Sequence, residues 1–104
     1  MAYKIVWSLQ AREDLQAIVR FIRRKNPRAA ADFGYALIKR VDVLENFPRL
    51  GRRVPEFDED TIRELIHRSY RIIYQVQDEQ RLLAVVRLWH GARGAPELPA
   101  QWEF

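Results

Sequence analysis

The side chains of this sequence that can do chemistry are mostly cationic. Of 18 basic residues only Lys4, Lys25 and Lys39 are lysine and the other 15 are arginine; 14 carboxylates leave a net charge of +4. Guanidinium groups recognise phosphate and carboxylate through a planar fork. A basic chain of this kind therefore suits an anionic partner: nucleic acid, a ribonucleoprotein or an acidic protein segment. The absence of cysteine removes thiolate nucleophiles, disulfides and Cys-based zinc sites, and agrees with a reducing, cytoplasmic compartment. No metal or other cofactor is expected. His90 stands before Gly91-Ala92-Arg93, where small residues keep the backbone accessible and the Arg93 guanidinium free to meet an anion. Five cations, Arg20, Arg23, Arg24, Lys25 and Arg28, run without an intervening acid; they read as a solvated helix end or a nucleic-acid patch.

These residues need a scaffold, and 104 residues suffice for one domain, read here as 1–104. The N-terminus lacks a secretory apolar run, and no stretch approaches the 18 or so apolar residues of a membrane span. A soluble chain is expected. Tyr3, Ile5 and Trp7 alternate as a short strand, closed by Ser8 as an N-cap. Ala11, Leu15, Ile18 and Ile22 then recur at helical spacing up to Lys25. Asn26-Pro27 caps and opens a second helix, which carries Ala30, Phe33, Leu37, Val41 and Leu44 to about Asn46. Together they form an αα-hairpin.

From Phe47 to Asp60 proline, glycine and charge predict a long ordered connection. Three strands follow, Thr61 to His67, Tyr70 to Val76 and Arg81 to Trp89, with linkers short enough for an antiparallel meander. On the middle strand Tyr70, Ile72, Tyr74 and Val76 share one face, while Arg71, Ile73 and Gln75 share the other. An arginine thus projects from a sheet, where Glu64 is its natural cross-strand partner. The residues after His90, and 94–104 in particular, are rich in breakers and are expected to be irregular. The order β-α-α-β-β-β is an α+β arrangement, a helical hairpin packed on a small antiparallel sheet. A domain this small is expected to leave one sheet face uncovered.

Several local strings, taken in order, resemble the RelE/ParE toxin superfamily of type II toxin-antitoxin systems. They are Trp7 with Ala11-Arg12-Glu13-Asp14-Leu15, Asn26-Pro27 with Ala29-Ala30, Pro48 with Gly51-Arg52, and Pro55-Glu56. Ile62-Arg63-Glu64, Tyr70-Arg71-Ile72-Ile73-Tyr74 and His90-Gly91-Ala92-Arg93 continue the series. The combination is most similar to the ParE branch, often labelled plasmid-stabilisation proteins, whose studied members poison DNA gyrase. The resemblance therefore implies growth arrest through gyrase and a cognate antitoxin partner, assembled with the toxin as an oligomer. A basic chain with exposed strands suits an antitoxin segment that folds on binding, along the helical hairpin and sheet.

The RelE branch instead cleaves messenger RNA on the ribosome, and is the alternative reading. By local alignment Arg71 and Arg93 fall where that branch keeps arginines, and His90 lies near a histidine of some nucleases of the superfamily. Cleavage by a 2′-OH needs a proton acceptor, cationic donors for the phosphate and an acid for the leaving oxygen. Arg71 and Arg93 are then the donors and His90 the acid or base, with Glu56 the only nearby carboxylate. Two departures point away from cleavage. Ile62-Arg63-Glu64 replaces a lysine pair, and Pro99 and Trp102 occupy the stretch where a tyrosine is expected. In the ParE reading Glu56, Arg63, Arg71, His90 and Arg93 are target- or antitoxin-binding residues. An inactive relic that only binds its antitoxin is the third reading.

Overall fold

One hydroxyl joins the first strand, the first helix and the sheet. The computed structural model describes residues 2–104, and in it strand β1 (Lys4–Trp7) ends at Ser8. Its Oγ accepts the Ala11 N–H and donates to the Val86 carbonyl, both at 3.0 Å. The cap thus starts helix α1 (Leu9–Arg23) and ties it to the sheet. Asn26 repeats the device: its side chain accepts the Ala29 N–H at 3.1 Å, and Pro27 occupies the first turn of α2 (Pro27–Asp42). A 3₁₀ turn, Val43–Glu45, finishes the second helix. No helix among the described residues is long and apolar enough to cross a membrane.

The sheet contains β1, β2 (Arg52–Arg53), β3 (Ile62–His67), β4 (Tyr70–Gln77) and β5 (Leu82–His90), in the order β1-β5-β4-β3-β2. The α+β arrangement and the helical hairpin are as the sequence predicts. Two details differ. β1 pairs with β5 in parallel, Lys4 opposite Leu82 and Trp7 opposite Val85, because the whole hairpin lies between them as a crossover. The long connection also contributes β2, which pairs antiparallel with β3. Gly51 makes this possible: its N–H donates to the Tyr74 hydroxyl at 2.9 Å, and a Cβ there would lie 2.4 Å from the Glu64 carbonyl oxygen.

Between the helices and the sheet, Phe33, Leu37, Val41 and Leu44 meet Leu65, Ile72, Tyr74, Val76, Leu83, Val85 and Leu88 in the main core. The expectation that the other sheet face stays uncovered is corrected by a second cluster of Val54, Ile62, Ile73, Ala84, Val86 and Trp89. Phe57 from the connection and Leu98 and Trp102 from the tail cover it. The tail is irregular yet anchored: Trp102 Nε1 donates to Gln75 Oε1 at 2.7 Å, and the Leu9 N–H to the Glu103 carbonyl at 2.6 Å. Backbone polar groups with fixed partners hold a segment that has no ladder of its own.

A register shift between Ile73 and Tyr74 places Arg87 and Val85 opposite them, so β5 carries one extra residue. The bulge resets the alternation and lets both Val85 and Leu88 face the helices. β1 pairs with β5 only as far as Val85. Beyond it Asp14 of α1 takes the place of a strand, accepting the Leu88 N–H at 3.0 Å and the Arg87 Nε–H at 3.0 Å.

Candidate functional site

The expected site residues other than Arg63 converge on one end of the sheet, where the β3–β4 turn, the end of β5 and the tip of the helical hairpin meet. Tyr70 is its centre. It opens β4 opposite His90 at the end of β5, and three clefts of about 370, 350 and 210 Å³ border it. A chain of edge-to-face rings crosses the site: His67 to Phe33 at 5.4 Å, Phe33 to Tyr70 at 5.6 Å, and Tyr70 to His90 at 5.0 Å. These contacts fix the helix α2 against the strand ends and so fix the shape of the first cleft.

Arg71 is next in sequence to Tyr70 and therefore lies on the opposite sheet face. Its Nε donates to Glu64 Oε1 at 2.5 Å, and its two terminal nitrogens donate to Glu56 at 3.0 and 2.6 Å. Glu64 has 0% side-chain exposure and also accepts from Arg52 Nε at 2.7 Å. The result is a chain of alternating charge, Arg52, Glu64, Arg71 and Glu56. The Arg71 guanidinium holds the Glu56 carboxyl below its ordinary range, and the two carboxylates raise the pKa of Arg71 further. Each charge of the chain is matched by a neighbour, as burial of Glu64 demands.

Arg63 is equally committed. It donates to the Asp60 carbonyl at 2.9 Å, the Gly51 carbonyl at 2.9 Å and Asp60 Oδ1 at 2.6 Å, so it clasps the connection to β3. Its register partner on β4 is Tyr74, four residues from Tyr70 and so about 13 Å along the strand. Arg63 is therefore apart from the cluster at Tyr70. His90 and Arg93 remain with Tyr70, since all three line the smallest cleft. His90 Nδ1 accepts the Ala92 N–H at 3.1 Å, capping the 3₁₀ turn Gly91–Arg93. An acceptor at Nδ1 leaves Nε2 to carry the proton. Arg93 is exposed, stacks 3.8 Å above the centre of the Trp89 ring, and makes no ion pair among the described residues.

Three residues of the site escaped sequence reasoning. Arg52 completes the charge chain. His67 is the second: its Nε2 is buried without a partner, and burial, reinforced by Arg40 and Arg68, lowers its pKa. The third is Arg68, the first residue of the two-residue β3–β4 turn, with φ of 55°. That left-handed conformation favours glycine or asparagine. A two-residue linker without either was the available signal. No group of three or more potential metal-ligating side chains occurs among the described residues.

The charge chain couples β2, β3, β4 and the connection, while Arg93 is exposed and His90 is half-buried against Tyr70, which leaves a cation accessible to an anion. Known proteins share the sequence pattern and the fold. The ParE toxin of type II toxin-antitoxin systems, parDE, is the family whose model matches residues 5–94. Toxin RelE2 of Caulobacter vibrioides is 35% identical over 91 residues, spanning 86% of this chain and 97% of that one. The fold is shared with a chain of the chromosomal ParDE system of P. aeruginosa, at a TM-score of 0.71 and 18% identity, covering 86% of this chain and 96% of that chain. It is shared also with a chain of the RelBE2 complex of Mycobacterium tuberculosis, at a TM-score of 0.60 and 22% identity, covering 86% and 99%. The match over residues 5–94 takes in both sheet faces, the hairpin and the Tyr70 end: the chain belongs to the ParE toxin family of type II toxin-antitoxin systems, within the RelE/ParE superfamily.

Proposed function

We propose that this toxin arrests growth in the cytoplasm by binding DNA gyrase rather than by cutting messenger RNA, and that a cognate antitoxin neutralises it. The observation that carries the reading is the state of Arg71. One of the two arginines that a RelE-type cleavage mechanism would aim at the scissile phosphate is held between Glu56 and Glu64. Two carboxylates beside that guanidinium also repel a phosphate. His90 sits across the sheet from it and uses Nδ1 for a backbone cap. Arg93 is the exposed arginine left to meet an acidic target surface, with His90 beside it.

The antitoxin reading draws support from the solved relatives, which are a ParDE system and a toxin-antitoxin complex. With the second sheet face covered from within, the longest series of exposed apolar side chains is Tyr35, Ile38, Val43, Phe47 and Leu50, on and just after α2. An antitoxin segment with apolar anchors and carboxylates fits that stripe and its neighbouring cations. The test is direct. Purified toxin should block supercoiling by gyrase or trap gyrase on cleaved DNA, and should leave ribosome-bound messenger RNA intact. Codon-positioned cuts with unaffected gyrase would establish the nuclease reading instead, and loss of both effects would mark a relic.

A further inference from the structure

The hairpin tip holds charge that the rest of the fold does not use. Between Leu9 and Asp42 eight basic residues face four acidic ones, an excess equal to the net charge of the entire chain. Arg20, Arg23, Arg24, Lys25 and Arg28 are all exposed around the tip, and none makes an ion pair among the described residues. Phe21 stands among them at 57% exposure, with the Lys25 ammonium 5.7 Å from its ring centre. An aromatic face flanked by cations is the arrangement that stacks a base and tracks a phosphate backbone.

Phe21 also forms the rim of the 370 Å³ cleft at Tyr70, a volume within the range of small-ligand sites. Phe33, Tyr70 and His90 supply further ring surface to its walls, and Asp32 is the one acid there. Arg68 borders this cleft and the next one, exposed and without an ion pair among the described residues. Its strained φ of 55° holds an arginine where a turn favours glycine. A carboxylate in the wall disfavours a phosphate inside but accepts the exocyclic amine of a base, and Arg68 at the mouth suits the phosphate.

From this we propose that the cleft between the hairpin tip and the β3–β4 turn binds single-stranded nucleic acid. One base stacks against Phe21 within the cleft, its phosphate lies on Arg68, and the tip cations carry the backbone onward. The inference stands apart from the choice of cellular target. Its partner is a polynucleotide rather than an acidic protein, because the tip cations suit either anion, whereas the rings and the wall carboxylate of the cleft suit a base and not an acidic side chain.

The experiment is fluorescence anisotropy of a labelled 12-nucleotide single-stranded DNA of mixed sequence, titrated with the full-length chain at several salt concentrations. Wild-type binding should weaken with salt, the logarithmic slope being about 0.7 for each phosphate contacted. Phe21→Ala should lower affinity about tenfold. Arg68→Asn, which keeps a turn-compatible residue, should make the slope shallower by about 0.7. Lys39→Ala, far along α2, should change neither. Both tested side chains are exposed, so unchanged melting temperatures certify folded variants. The proposal is overturned if the oligonucleotide does not bind, if Phe21→Ala binds as wild type, if Arg68→Asn leaves the slope unchanged, or if polyglutamate of equal charge displaces the probe as well as unlabelled oligonucleotide does. The last result would assign the tip to an acidic protein.

Discussion

The arginines of the sheet and those of the hairpin tip are the same residue put to opposite uses. Outside residues 9–42, ten cations face ten carboxylates, and the fold pairs many of them: Arg71 with Glu56 and Glu64, Arg63 with Asp60, Arg49 with Asp60 and Asp78. At the tip five cations make no ion pair among the described residues. Guanidinium chemistry therefore does not say which arginine is functional; the supply of carboxylates within reach does. A paired arginine holds elements together, and an unpaired one is left for a partner. Arg93 belongs with the tip in this respect, although it sits on the sheet side.

Breaking the paired region should cost most. Glu64→Ala leaves Arg71 and Arg52 without their shared partner, Arg71 at 11% side-chain exposure, and should destabilise the fold by about 3 kcal/mol or more. Urea unfolding measures it, and a loss under 1 kcal/mol would place the chain among surface ion pairs of little consequence. Tyr70→Ala comes next. Tyr70 is only half-buried, but it packs on the main core and joins two ring contacts, so about 2 kcal/mol should be lost together with toxicity.

A smaller effect should appear with pH. His67 has a lowered pKa in the fold and an ordinary value near 6.5 unfolded, so the unfolded chain binds more protons as pH falls below that value. Stability should therefore decline from pH 7 downward until the folded-state pKa is passed. Melting temperatures across pH 5 to 8 test this, with His67→Phe expected to flatten the profile; an unaltered slope in that variant would remove His67 as the source. The smallest change in stability belongs to Arg93→Ala, since Arg93 is exposed and makes no ion pair among the described residues. A shift of about 0.5 kcal/mol is expected, while growth arrest on induction should be strongly weakened. A fully toxic Arg93→Ala protein would move the contact surface elsewhere.

The elements were legible in the sequence wherever a local rule governed them. Ser8 and Asn26-Pro27 mark both helix starts because a cap is set by its own side chain and the next three residues. Alternation along Tyr70–Gln77 assigned Arg71 and Tyr70 to opposite faces, and Glu64 could be named as a partner because the two strands form a hairpin. What could not be read is non-local. Glu56 reaches Arg71 from an irregular connection, β1 joins β5 across the length of the chain, and Leu98 and Trp102 cover a sheet face from a segment with no periodicity. The same limit hid the contrast between the two arginine populations, which depends on where carboxylates end up.

The central claim is that Arg71 serves the fold and not a cleavage reaction, and the double variant Arg71→Met/Glu64→Leu tests it most directly. Exchanging a buried ion pair for apolar groups of similar volume is often neutral in stability, and the remaining partners, Arg52 and Glu56, reach solvent. Growth arrest on induction should match that of the parent chain, provided thermal unfolding shows the variant folded. A folded double variant that no longer arrests growth would contradict the account and return Arg71 to the toxic site.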